Sequence, residues 1–324
     1  MTLPAAERPA EIRVVDLAGP DATRCIELAC RDIGFMFVRG HGIAPQTVAA
    51  ARAALVEYFS LPLETKLAHA ITRDNYRGYI PLGFFKPNTG GGAADHYEGY
   101  KLHFEVAADD PIRASCDLYG PNRWPAELPG FRRAIEAYRA ECDRVAEDLI
   151  HRFATILGVD EQRFLGWFEQ PLTNMTLLHY PARPAGAPGF GIHPHKDTDV
   201  FTILAADPAG GLMVRRRDDR NWLAADPPPD ALVVNIGDML ELWSGGYLVS
   251  TPHKVENPPG KARYSFPYFV VPRHDTVVEP LMPPQPGFSR APVHVGDVSR
   301  EVWRTNWQDA PPAAAGFDLG TLDD

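Results

Sequence analysis

Apolar positions in the first half of the chain recur mostly at helical spacing, and in the second half they gather in short runs. Residues 45–59 place Val48, Ala51, Leu55 and Phe59 on one helix face. Pro129-Gly130 opens a longer helix that runs to Leu157. Its apolar positions Ile135, Tyr138, Cys142, Val145, Leu149, Phe153 and Ile156 step by three and four, as one buried face requires, and Gly158 ends it. Asp21 stands where a cap belongs for a helix through Ile26, Cys30 and Ile33, stopped by Gly34. Residues 12–17 and 35–38 are short apolar runs that read as strands, the second ended by Gly40-His41-Gly42.

From Asn174 onward the pattern predicts strands at 175–180, 200–205, 211–214, 231–236, 248–254 and 263–271, separated by Gly and Pro. Many short strands with turn signals predict a sandwich or barrel, and a double-stranded jelly roll is one such architecture. The expected fold is therefore mainly β with flanking helices. Residues 75–124 read as loops, with Gly90-Gly91-Gly92 as a lid segment, and the Pro/Ala/Asp-rich tail reads as frayed. No internal repeat is present.

Composition narrows the function classes. The 324 residues are 45% hydrophobic and 23% charged, enough for a large core. The net charge of -10 disfavours a nucleic-acid binder, and Arg215-Arg216-Arg217 is followed at once by Asp218-Asp219, as at a solvated hairpin tip. The four cysteines match no zinc or redox spacing, and Cys25 and Cys142 fall on apolar stripes. The first residues form no apolar leader core, and no run reaches the ~18 apolar residues of a membrane span. A cytoplasmic protein with a small-molecule substrate is expected. No dimerisation helix is evident, so a monomer is expected.

His195-Lys196-Asp197 carries the candidate chemistry. Residues two apart on a strand share a face, so His195 and Asp197 can aim at one ion, and His253 can complete the set from a later strand. Two imidazoles and one carboxylate suit Fe(II) and leave coordination positions open. His193 shares the face of His195 and could ligate in its place; the preferred set keeps His195 with Asp197 and leaves His193 to support the ligands or line the pocket. Arg263 and Ser265 follow His253 by ten and twelve residues and face one way along an apolar run. A buried arginine needs a partner, which a protein carboxylate or a dicarboxylate co-substrate would supply.

The chain resembles the isopenicillin-N-synthase-like superfamily of iron(II)/2-oxoglutarate-dependent oxygenases. In the N-terminal part the resemblance rests on Ile12-Arg13-Val14-Val15-Asp16-Leu17, Asp32-Ile33-Gly34-Phe35, Gly40-His41-Gly42-Ile43, Arg77-Gly78-Tyr79 and Leu128-Pro129-Gly130-Phe131. In the C-terminal part it rests on His195-Lys196-Asp197, Thr202-Ile203-Leu204, Asn235-Ile236-Gly237-Asp238, His253 and Arg263-Tyr264-Ser265. The resemblance implies a non-haem dioxygenase N-terminal region over 1–125, a double-stranded β-helix core over 126–310 and a flexible tail over 311–324. It implies that His195, Asp197 and His253 bind iron, that Arg263 and Ser265 bind 2-oxoglutarate assisted by Tyr180, and that O2 is consumed. The implied reaction oxidises a small-molecule C–H bond and releases succinate and CO2. Leu178 departs from the asparagine common in the family, which leaves room for a 2-oxoglutarate-independent oxidase or cyclase. The run around His253 is similar to that of ethylene-forming members, and a jelly-roll binding protein without catalysis is the remote alternative. Phe85, Tyr97, Phe104, Trp243 and Phe269 are the candidate substrate residues, with ordinary core packing as the competing role for each.

Overall fold

Two parallel strands, β1 (Arg13–Asp16) and β2 (Phe35–Arg39), open the fold and are joined by α1 (Ala22–Asp32). Helices α2 (Pro45–Phe59) and α3 (Leu63–Ala68) follow, then strands β3 (Gly78–Ile80) and β4 (Glu98–His103). Short α4 (Ile112–Ser115) precedes the long α5 (Pro129–Leu157) and short α6 (Glu161–Gly166). The remaining strands begin with β5 (Asn174–Tyr180), β6 (Ile192–His195), β7 (Phe201–Ala205), β8 (Leu212–Arg215), β9 (Trp222–Ala224) and β10 (Leu232–Ile236). After α7 (Asp238–Trp243) come β11 (His253–Val255), β12 (Arg263–Ser265), β13 (Tyr268–Val270), β14 (Val277–Val278), β15 (Val293–His294) and α8 (Val295–Thr305). This computed structural model describes residues 11–85, 94–217, 220–305 and 307. The Gly90-Gly91-Gly92 segment, Asp218-Asp219, and the first ten and last residues of the chain lie outside that set.

The strands form two facing layers. The larger sheet runs β1-β2-β10-β7-β13-β5-β4-β3, with β12 also paired to β5; the smaller runs β6-β11-β8-β9. One face of the large sheet, carrying Met36, Val234, Ile203, Tyr268 and Leu177, packs on the apolar stripe of α5. Its other face, carrying Phe37, Val233, Leu204, Leu178 and Tyr180, meets Leu212, Val214 and Val255 of the small sheet. This is the mainly β, helix-flanked jelly roll that the sequence predicts. Strands from before residue 125 close both ends of the large sheet.

Helix α5 has the predicted bounds for physical reasons. Pro129 occupies its first turn, where no donor is missed, and Gly158 leaves it at φ +67, with its N–H donating to the carbonyls of Ala154 and Thr155. Phe153 is fully buried and packs on Phe201 at 5.4 Å between ring centres. Phe153→Ala should lower unfolding free energy by about 3–5 kcal/mol, through lost burial and a residual cavity. Denaturant unfolding checks this, and an unchanged midpoint would contradict the packing described.

Several expectations are corrected. Asp21 makes no side-chain cap, because its φ of -99° and ψ of 13° do not aim the carboxylate at the helix donors. Gly34 does end α1, with φ +69, and a Cβ there would lie 2.0 Å from the Val249 carbonyl. The run 248–254 pairs only from His253, because Pro252 has no donor and the residues before it bond back to Ser244, Cys30 and Glu241. The run 263–271 is split by Pro267 into β12 and β13. The segment read as loops, 75–124, contains β3 and β4. Cys142 is buried and Cys25 half-buried against the core, and all four cysteines are free thiols. No helix of the described residues is long and apolar enough to cross a membrane.

Candidate metal centre and co-substrate site

Strands β6 and β11 pair antiparallel with His253 directly opposite His195, so both imidazoles project to one side. Their ring centres are 4.3 Å apart. Asp197 lies just beyond the end of β6, where its carbonyl accepts the Asp238 N–H at 2.8 Å. Its Oδ1 stands 3.8 Å from His195 Nε2 and 3.7 Å from His253 Nε2. One ligand atom from each of the three residues lies within 4.8 Å of the others.

The other atom of each group is already engaged. His195 Nδ1–H donates to the His193 carbonyl at 2.9 Å, and His253 Nδ1–H to the Thr251 carbonyl at 3.2 Å. A carbonyl only accepts, so both rings carry a proton on Nδ1 and turn Nε2 toward Asp197 Oδ1. Asp197 Oδ2 accepts the Thr202 hydroxyl at 2.6 Å and the Asn235 amide at 2.7 Å, which leaves Oδ1 free. Burial, then His253, pushes His195 down to about 3, so it is neutral. Burial would raise the Asp197 carboxyl, but His253, His195 and the two hydrogen bonds outweigh it and hold the group below its usual value. An ionised carboxylate is the protonation state a metal ligand needs.

The supporting residues form one row across the large sheet. Phe35, Asn235, Thr202, Phe269, Asn174 and His103 are paired in register, each directly opposite the next, so all face the metal side. Phe35 packs edge-on against His253 at 5.4 Å. His193 does not join the three ligand atoms: its ring takes Asp95, at 2.9 Å, and its carbonyl orients His195.

Pairing of β12 with β5 sets Arg263 opposite Tyr180 and Ser265 opposite Leu178. The Arg263 guanidinium lies over the Tyr180 ring at 4.8 Å, and its Nε donates to the Gly210 carbonyl at 2.9 Å. Its Nη1 is buried and has no hydrogen-bond partner among the described residues. A buried, unpaired guanidinium N–H fits a carboxylate from outside the protein. Burial pushes Tyr180 up to about 12, so it stays a neutral phenol. Leu178 adds an apolar wall to this corner, where it is 4% exposed.

Of the candidate substrate residues, Tyr97 and Phe85 extend from Tyr180 in an aromatic line, with ring centres 5.9 and 5.8 Å apart in turn. Phe269 lies in the metal-facing row, with Lys101 Nζ over its ring at 5.3 Å. Phe104 and Trp243 are not brought to the site. Phe104 falls on the opposite face of the sheet, under Arg139 of α5. Trp243 is wholly enclosed by Trp167, stacked at 5.3 Å, and Phe164. The sequence reading passed over Lys101, His103 and Asp95. For Lys101 and His103 the signal was alternation in β4, where Tyr100 and Leu102 face α5 while Lys101 and His103 face the site.

Residues 172–272 match the family described as the 2OG-Fe(II) oxygenase superfamily, and residues 12–127 match the non-haem dioxygenase in morphine synthesis N-terminal family. Azadirone synthase LFS from Melia azedarach is 32% identical over 285 residues, covering 83% of this chain and 84% of that protein. The crystal structure of JOX2 in complex with 2OG, Fe and JA superposes with a TM-score of 0.77 at 28% identity, covering 95% of this chain and 90% of that one. The fold is also that of a full-length Neurospora crassa protein in complex with alpha-KG and thymine, with a TM-score of 0.80 at 24% identity over 94% of this chain and 99% of that one.

Proposed function

The chain belongs to the 2OG-Fe(II) oxygenase superfamily, and from that premise we propose that His195, Asp197 and His253 hold its iron while Arg263 and Ser265 hold the far carboxylate of 2-oxoglutarate. The protein is a 2-oxoglutarate-dependent dioxygenase with Fe(II) as its metal and a double-stranded β-helix as its frame. Iron, 2-oxoglutarate and O2 together supply the oxidising power for a C–H bond, with succinate and CO2 released. The carbonyls of His193 and Thr251 fix the imidazoles, and Thr202 and Asn235 fix the carboxylate, so little reorganisation accompanies metal loading. The Tyr180 ring lies 4.8 Å from the Arg263 guanidinium and steadies it by a cation–π contact.

The supporting observation is the convergence of two Nε2 atoms and one Oδ1 on the same side of the sheets as the buried Arg263 Nη1, which has no partner among the described residues. The division at residue 125 is proposed as a division of sequence, with both parts contributing strands to one working unit. A monomer in the cytoplasm, acting on a small molecule and not on nucleic acid, is the proposed setting. Free thiols and net charge of -10 agree with it.

The test is succinate release from 2-oxoglutarate by chelator-stripped protein, before and after Fe(II) is restored. Iron-dependent succinate supports the reading. Oxygen uptake without succinate favours the oxidase alternative, for which Leu178 beside Ser265 is the relevant feature. Headspace analysis of the same samples scores ethylene.

A further inference from the structure

A cavity of about 90 Å³ lies next to the strand end that carries Asp197; none of the three metal ligands lines it, but Thr198 does. Thr198, next to Asp197, and Met239 form one wall; Lys101, His103 and Asn174 form the wall of the large sheet; Trp303 of α8 closes the top.

Lys101 is the charged group in this wall. Its Nζ donates to Asn174 Oδ1 at 2.6 Å and Thr176 Oγ1 at 2.8 Å, both neutral acceptors. An ammonium has three N–H donors, so one remains. Among the described residues no carboxylate pairs with Lys101. Elsewhere in the fold, enclosed lysines do have one: Lys66 pairs with Glu98 at 2.7 Å, and Lys196 with Glu241 at 3.3 Å. Trp303, at the cavity roof, carries Arg77 over its ring at 5.9 Å, a second positive charge at that end. Burial, with Arg77 and Lys101, keeps His103 neutral, well below its usual value.

The charges of a loaded site balance without Lys101. Ferrous iron and Arg263 are matched by Asp197 and the two carboxylates of 2-oxoglutarate. Lys101 is left with neutral partners only, and holding a positive charge there is costly. Burial also draws Lys101 down to about 7, against Asp197 and Asp199, so an arriving anion gains by keeping it charged.

We propose that the cavity takes a small carboxylate-bearing substrate, whose carboxylate is held by the Lys101 ammonium and whose oxidised carbon lies between Lys101 and the three metal ligands. This rests on the oxygenase reading above. Asn174 and Thr176 aim the ammonium, the Phe269 ring lies 5.3 Å from Nζ, and Trp303 covers the bound molecule.

The probes are butanoate, hexanoate, benzoate and phenylacetate, each beside its primary amide, with iron, 2-oxoglutarate and oxygen present. Acids should raise succinate release above the level without probe, and the matching amides should not. Lys101→Met should raise the acid concentration needed by at least about tenfold, and Lys101→Arg should recover part of the loss. Thermal melting reports whether each variant folds, and the acid-against-amide comparison on the unaltered protein stands whether or not they do. Equal stimulation by acids and amides, stimulation by no acid, or a folded Met variant with the unaltered acid requirement overturns the proposal. Calorimetry of iron and 2-oxoglutarate binding is read separately; failure there sinks the oxygenase reading and this proposal with it.

Discussion

Asp197→Ala should reduce succinate formation to the level of chelator-treated protein and strip iron from the purified enzyme. Asp197 is the only anionic donor of the three, and its Oδ1 stands nearly equidistant from the two imidazole Nε2 atoms. The alanine leaves the two imidazoles without an anionic co-ligand, Asn235 without the carboxylate it holds, and Thr202 with Asp199 alone at 2.8 Å. Thr202→Val separates orientation from ligation. It keeps the carboxylate but removes the 2.6 Å hydrogen bond to Oδ2, and a loss of about 10- to 100-fold in iron affinity is expected. The measurements are iron content per chain and succinate released per iron. An alanine variant that turns over 2-oxoglutarate at the unaltered rate refutes the ligand assignment.

Arg263→Ala should act on the co-substrate and far less on the metal. A buried guanidinium facing a carboxylate, once truncated, costs about 2–5 kcal/mol, or roughly 30-fold to above 1,000-fold in the 2-oxoglutarate concentration required. Arg263→Lys should recover little, because one ammonium cannot both reach the Gly210 carbonyl and present two parallel donors. Steady-state titration of 2-oxoglutarate, with iron content measured alongside, gives the answer. Equal loss of iron and 2-oxoglutarate binding would mean that Arg263 serves the fold and not the co-substrate.

Much of this architecture was legible in the sequence, and the exceptions have causes. Helices α2 and α5 were read to their ends because each buries one stripe and each is punctuated by Pro, with Gly158 closing α5. Strands β5, β7 and β10 were legible because their apolar runs are packed on both faces. Strand β4 was not. Its alternation is real, but its polar face, Lys101 and His103, points into the site instead of solvent, and polar residues near Gly and Pro read as loop. Likewise α8 buries Val295 and Val298 with an amphipathic pattern, hidden beside a Pro/Ala-rich tail. His195, Asp197, His253, Arg263 and Ser265 were legible as residue types at telling separations. That His195 stands opposite His253, and Arg263 opposite Tyr180, was not, since strand register is set by pairing across the fold.

The pairing of β2 with β10 joins Val38 to Leu232, positions about 200 residues apart. During synthesis at the ribosome, the first strands therefore emerge long before their neighbour exists. Loop closure on that scale is an entropic barrier that local contacts cannot offset early, so the large sheet must be completed late. Asn235, which steadies Asp197, arrives on that same closing strand. Ion capture at full affinity is thus tied to the last stage of chain folding, and an incomplete chain has no finished cage with which to sequester ferrous iron.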